Sequence, residues 1–155
     1  MKGIKKILVP VDFSECSKNA FYYSLDIARE TKASVFLLNV IDSELVNEMV
    51  RLDISTKGQI KKKLEKNAKS ELDRIMAESL KKRKGVKIRE RLEEGIPFIK
   101  ILKESKDLGA DIIVMGSFGT SSPMLRFFFG STVEQVLRGS KIPVVCVPLS
   151  EVIEG

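Results

Sequence analysis

Four short segments of this chain are dominated by Val, Ile and Leu, and stretches of helical period separate them. They are IKKILVPV at 4–11, ASVFLLNV at 33–40, DIIVM at 111–115 and PVVCVPL at 143–149. A strand that is apolar nearly throughout, instead of alternating, is buried on both faces, as in a parallel sheet covered by helices. A looser alternation at 86–92 supplies a fifth strand. The order of elements predicts an α/β fold: an open, doubly wound, five-stranded parallel sheet with helices on both faces, Rossmann-like. One domain over residues 1–155 is expected, since that length fits a single hydrophobic core.

The helical stretches carry their own signals. Ser14 suits the N-cap of a helix with Ala20, Phe21, Leu25 and Ala28 on its apolar side. Strand, helix and strand over 4–40 thus form a βαβ unit, which crosses over right-handed. From 41 to 58 the pattern weakens to a loop with at most a helical turn. Ile60, Leu64, Ala68, Leu72, Ile75, Met76 and Leu80 then make one stripe at helical spacing. The KKRKG run closes that helix with cations at its negative end and Gly85 as a stop. Gly95 and Pro97 open a further helix through Leu108, and a short one is expected over 131–138, ended by Gly139.

Composition removes several chemistries. The chain has no histidine, so neither Ser-His-Asp nor Cys-His catalysis is available, and the commonest zinc ligand is missing. Two cysteines, Cys16 and Cys146, make neither a disulfide framework nor a four-cysteine zinc site, and read as small buried hydrophobes. No apolar run reaches the ~20 residues of a membrane span, and the one at 7–11 is too short for a signal peptide, so a cytoplasmic protein is expected. The net charge of +6 invites a nucleic-acid reading, but 14 of the 27 basic residues fall at 57–91 against 5 of the 21 acidic ones. That leaves 13 basic and 16 acidic residues elsewhere. The charge reads as one helix with a solvated face, and neither nucleic acid nor membrane is expected as a partner.

Ligands of open α/β sheets bind beyond the carboxyl ends of the strands. Three features land there: Pro10, Val11 and Asp12 after the first strand, Asn39 and Val40 at the end of the second, and the glycine-bearing loop from Met115. Gly116 and Gly119 either let the backbone approach a ligand or are ordinary turn glycines. Gly130, Ser131 and Thr132 precede a helix, where exposed N–H groups and the helix dipole favour phosphate; the two hydroxyls alternatively just cap the helix. Asp12 either accepts from a ribose hydroxyl pair or caps its own turn. Phe127, Phe128 and Phe129 read as packing residues before a base-stacking platform.

ILVPVDFSECS near the start, the GIP tripeptide at 95–97, DIIVMGSFG, and GSTVEQVLRGSKIPVVCVP at the end together resemble a universal stress protein of the ATP-binding type. The resemblance implies strand order 3-2-1-4-5 and a homodimer paired through the last strand, 143–149. It implies ATP or AMP as ligand, with magnesium as a companion, and no catalytic residues beyond slow ATP hydrolysis. Asp12 would meet the ribose, and Val11 and Val40, next to Pro10, would flank adenine. Gly116, Gly119, Gly130, Ser131 and Thr132 would hold the phosphates, with Met115 beside the nucleoside. The family's loop reads Gly-x-x-Gly, nine residues, then Gly-Ser/Thr; here ten residues separate Gly119 from Gly130, Pro123 is among them, and Phe118 stands where a polar or basic residue is frequent. The altered spacing keeps a second reading open, a nucleotide-free module acting through an unidentified partner protein in the stress response. An adenylating ligase would carry a Ser-Gly-Gly type loop after the first strand, where this chain reads Asp12-Phe13-Ser14-Glu15.

Overall fold

The strand β1 (Lys6–Pro10) is bonded on both sides and sends alternate side chains into two separate cores. Ile7 and Val9 face one layer with Phe21, Leu25, Leu72 and Ile75, while Leu8 faces the other with Ile101, Val133 and Val136. Ile7, Leu8 and Val9 are wholly buried, which is why this segment reads as continuously apolar. The computed structural model describes residues 3–118 and 129–149.

Around β1 lie β2 (Ser34–Asp42), β3 (Ile88–Gly95), β4 (Ile112–Gly116) and β5 (Val144–Val147), all parallel, in the order β3-β2-β1-β4-β5. The helices α1 (Glu15–Thr31) and α3 (Lys57–Lys82) cover the first face; α4 (Pro97–Leu108) and α5 (Ser131–Gly139) cover the second. A short α2 (Ser43–Arg51) sits between β2 and α3. The chain winds outward from β1 to β3, then returns to β4 and β5 on the other side. The switch in winding direction therefore falls between β1 and β4, and opens a crevice at their carboxyl ends.

Local chemistry sets the helix ends. Ser14 caps α1, its Oγ accepting from the Ser17 N–H at 3.2 Å. Thr56 and Gln59 form a capping box on α3. Pro97 opens α4, and Gly109 ends it in the left-handed region at φ 64°.

Three sequence expectations need correction. The stretch at 41–58 holds a true helix, α2, because β2 runs on to Asp42, whose Oδ1 accepts from the Glu44 N–H at 2.9 Å and caps it. Of its residues only Val46 is buried, while Leu45 and Val50 are exposed, so the apolar period is blurred. β3 extends past residue 92 to Gly95, since an edge strand tolerates charges such as Glu93 and Glu94. Cys146 is only half-buried, and that burial pushes its thiol pKa up, whereas Cys16 is buried as expected. Among the described residues no helix is long and apolar enough to cross a membrane.

Phe21 is wholly exluded from solvent at the centre of the first layer. Phe21→Ala is expected to lower unfolding free energy by about 3–5 kcal/mol, read from the urea midpoint at constant m-value. A loss under about 1 kcal/mol would mean that the layer closes over the hole.

Candidate functional site

A cavity of about 590 Å³ opens at the carboxyl edge, between the end of β1 and the start of α5. Its first wall is the turn from β1 into α1, which several hydrogen bonds hold. The Val11 N–H donates to the Leu38 carbonyl at 2.8 Å, and the Val11 carbonyl accepts from buried Asn39 Nδ2 at 2.8 Å. The Asp12 N–H donates to Ser17 Oγ at 3.3 Å, and Asp12 Oδ1 accepts from the Ser14 N–H at 3.0 Å. Phe13, which also lines the cavity, takes φ 67°, a left-handed conformation that costs a non-glycine residue on the order of 1–3 kcal/mol. The turn is thus rigid and strained at the same point.

Asp12 performs its turn-capping role with one oxygen only. Oδ1 is occupied by Ser14, whereas Oδ2 has no partner among the described residues, and the exposed side chain lines the cavity. The capping and ligand-binding readings of Asp12 are compatible.

The opposite wall is the end of β4 and the start of α5. Gly130 is the N-cap of α5, and no side chain caps that helix. Neither Ser131 nor Thr132 serves as the cap, which corrects the capping alternative for their hydroxyls: the α5 N-terminus has no side-chain cap. The Gly130 N–H donates to the Ser117 carbonyl at 3.0 Å, and the Ser117 N–H to the Val147 carbonyl at 3.3 Å, tying α5 to the ends of β4 and β5. Gly116 has a packing reason for its identity. A Cβ there would lie 2.9 Å from Cys16 Sγ and 3.0 Å from the Cys16 backbone.

Pro10, Val11, Asp12, Val40, Met115, Gly116, Gly130, Ser131 and Thr132 all line this one cavity. Gly119 lies outside the described residues, as do Pro123, Phe127 and Phe128. Phe129 is exposed and does not pack in the core, which corrects the expectation for it. Sequence reasoning missed the outer wall, where α2 contributes Leu45 and α3 contributes Leu64, Asn67, Ala68 and Glu71. Leu64 and Ala68 belong to the stripe already visible at helical spacing; Asn67 and Glu71 carried no signal beyond an exposed helix face. The described walls combine apolar surface from Val11, Val40, Leu38 and Ile101 with the carboxylates of Asp12, Asp42 and Glu71.

An open parallel sheet with strand order β3-β2-β1-β4-β5 and a crevice at its winding switch defines a Rossmann-like α/β protein. Residues 3–148 match the universal stress protein family, and the chain belongs to it. The universal stress protein MJ0577 of Methanocaldococcus jannaschii is 32% identical, with 92% of this chain and 94% of that one covered. Its solved structure superposes with a TM-score of 0.81 at 33% identity, over 96% of this chain and 98% of that one. The universal stress protein MJ0531 of the same organism is 32% identical over 92% of this chain and 81% of its own length. A universal stress protein from Archaeoglobus fulgidus solved with dAMP shares the fold at 18% identity and TM-score 0.61, covering 95% and 99% of the two chains.

Gly116→Ala tests the packing at the cavity floor. It is expected to destabilise the protein by about 1–3 kcal/mol through overpacking against α1, measured as a shift in urea midpoint. An unchanged midpoint would show that the first turn of α1 moves aside freely.

Proposed function

We propose that this chain is a stress-response regulatory protein that binds an adenine nucleotide, ATP or AMP, in the carboxyl-edge cavity. The observation that carries this reading is the convergence on one cavity of an apolar slot, a ribose-class acceptor and an uncapped helix N-terminus. A volume near 590 Å³ falls in the range of small-molecule sites. Buried Val11 and half-buried Val40 offer surface for a base, with Met115 beside them. Asp12 Oδ2 is available to accept from ribose hydroxyls. The N–H groups at Ser131 and Thr132, their hydroxyls and the positive end of the α5 dipole suit phosphate oxygens.

The residues fit a bound nucleotide and supply little for hydrolysing it. No Walker-type lysine follows the glycines, and the carboxylates of the cavity stand on the walls shared with base and ribose. At most slow hydrolysis follows. Among the described residues no three His, Cys, Asp or Glu side chains gather as a metal site requires, so in this reading magnesium enters with the nucleotide. The protein then acts in the cytoplasm by changing state with nucleotide, as a homodimer paired through β5, an edge strand of four residues.

Protein purified without added nucleotide, denatured and run on an ion-exchange column against ATP, ADP and AMP should release an adenine nucleotide. The stripped protein should then titrate with ATP and magnesium in a calorimeter. Gly130→Val should weaken that binding at least tenfold, roughly 1.4 kcal/mol, with an unchanged circular dichroism spectrum. Absence of both released nucleotide and heat would leave the interaction-module reading in its place. For the dimer, Val145→Glu should yield folded monomers by light scattering; a retained dimer mass would remove β5 from the interface.

A further inference from the structure

The sequence places the positive charge on one helix, but the fold redistributes it. Every helix that leads back into a strand in this topology ends at the amino edge of the sheet, opposite the nucleotide cavity. Cationic residues from separate parts of the chain meet there. The Ser34 N–H donates to the Lys5 carbonyl at 2.9 Å, and the neighbouring Val35 N–H to the Lys87 carbonyl at 2.8 Å. The residues that lead into β1 and β3 therefore flank the start of β2, and Lys32, the C-cap of α1, is two positions before Ser34. The α3 helix descends along β3, with Lys61 on Glu94 and Lys69 on Glu90, both at 2.7 Å, so Lys81, Lys82, Arg83 and Lys84 arrive beside Lys87. On the far side of β1, a second hollow of about 550 Å³ is bordered by Lys103, Lys106 and Lys141 over a floor that includes Leu102 and Ala110.

The acidic groups of this edge are largely committed. Asp26 binds Arg83 at 2.8 Å and Arg29 at 3.5 Å, Asp107 binds Lys103 at 2.7 Å, and Asp111 accepts from the Lys5 and Lys6 N–H groups. Glu30 is exposed, and Glu78 accepts from the Tyr22 hydroxyl. Lys5, Lys32, Lys84, Lys87, Lys106 and Lys141 are exposed and make no ion pair among the described residues. Helix-dipole complementarity accounts for some cations at helix C-termini. It does not account for Lys5 and Lys87, which lead into strands.

We propose that this amino edge is a docking face for the phosphate backbone of a nucleic acid, without sequence preference. Lysine is a compact charge on a flexible stem, suited to phosphates and less selective at base edges than a planar guanidinium or amide. A protein partner fits poorly, because interface cores are depleted in lysine and enriched in aromatic and apolar groups. A lipid surface fits poorly as well: beside these lysines the exposed large apolar residues among the described ones, Leu80 and Leu137, stand singly on separate helices, whereas stable membrane anchoring needs an apolar wedge with the charge. The site is independent of the nucleotide cavity, which occupies the other edge.

The test is fluorescence anisotropy of the whole chain with labelled duplex DNA and, separately, single-stranded RNA, across a salt series at low ionic strength. Binding to at least one is expected, and the arm that binds more tightly identifies the source of the phosphates. The double variant Lys84→Glu/Lys87→Glu should weaken it at least tenfold and flatten the log K against log salt slope by roughly 0.9 per lost duplex contact or 0.7 per single-strand contact. The control Lys62→Glu/Lys63→Glu carries the same charge change on exposed α3 positions near the other edge, and should keep the wild-type slope. Equal weakening by both variants would mean net charge alone and would overturn the assignment. So would absence of binding to both probes, or binding only to vesicles of acidic phospholipid. Circular dichroism of each variant separates misfolding from lost contact, and Lys106→Glu/Lys141→Glu gives a second probe of the same edge with the same expected weakening.

Discussion

The burial of β1 on both faces, with hydrogen-bonded neighbours on both sides, is the constraint from which the rest follows. A strand buried from Ile7 to Pro10 must be covered by helices above and below. Those helices must return the chain antiparallel to the sheet, so every strand-to-helix turn collects at one edge and every helix-to-strand turn at the other. The cavity and the lysine-rich face are the two outcomes of that single geometric fact. One edge gathers helix starts and backbone N–H groups; the other gathers helix ends and the cations that suit them.

Rigidity at the cavity is achieved with little side-chain machinery. Asn39, buried at the end of β2, clamps the Val11 carbonyl, and Ser17 reaches back from α1 to the Asp12 N–H. These contacts hold Phe13 in its left-handed conformation, so the strain there is carried by the surrounding bonds.

The fold was legible because its signals are local. Continuous apolar runs mark double-sided burial, Ser14 marks a cap, and Pro97 and Gly109 bracket α4 at its observed bounds. The residues that line the near walls of the cavity were legible for the same reason, since they lie at strand ends and helix starts. The outer wall was not legible. Asn67 and Glu71 reach the cavity only because α2 turns the chain so that the first half of α3 passes over it, and α2 itself hides behind exposed Leu45 and Val50. The grouping of charge was not legible for a similar reason: a helix seen alone shows a solvated face, and only the assembled sheet brings Lys5, Lys32 and Lys87 to its far end.

Gly116 carries one more implication. Its lack of a side chain is demanded by the first turn of α1, where Cys16 sits within 3.0 Å of the space a Cβ would fill. Selection for stability alone would keep that glycine, whatever the cavity holds. When chains of this fold are compared, glycine at this position records helix packing, and its presence says nothing by itself of a ligand.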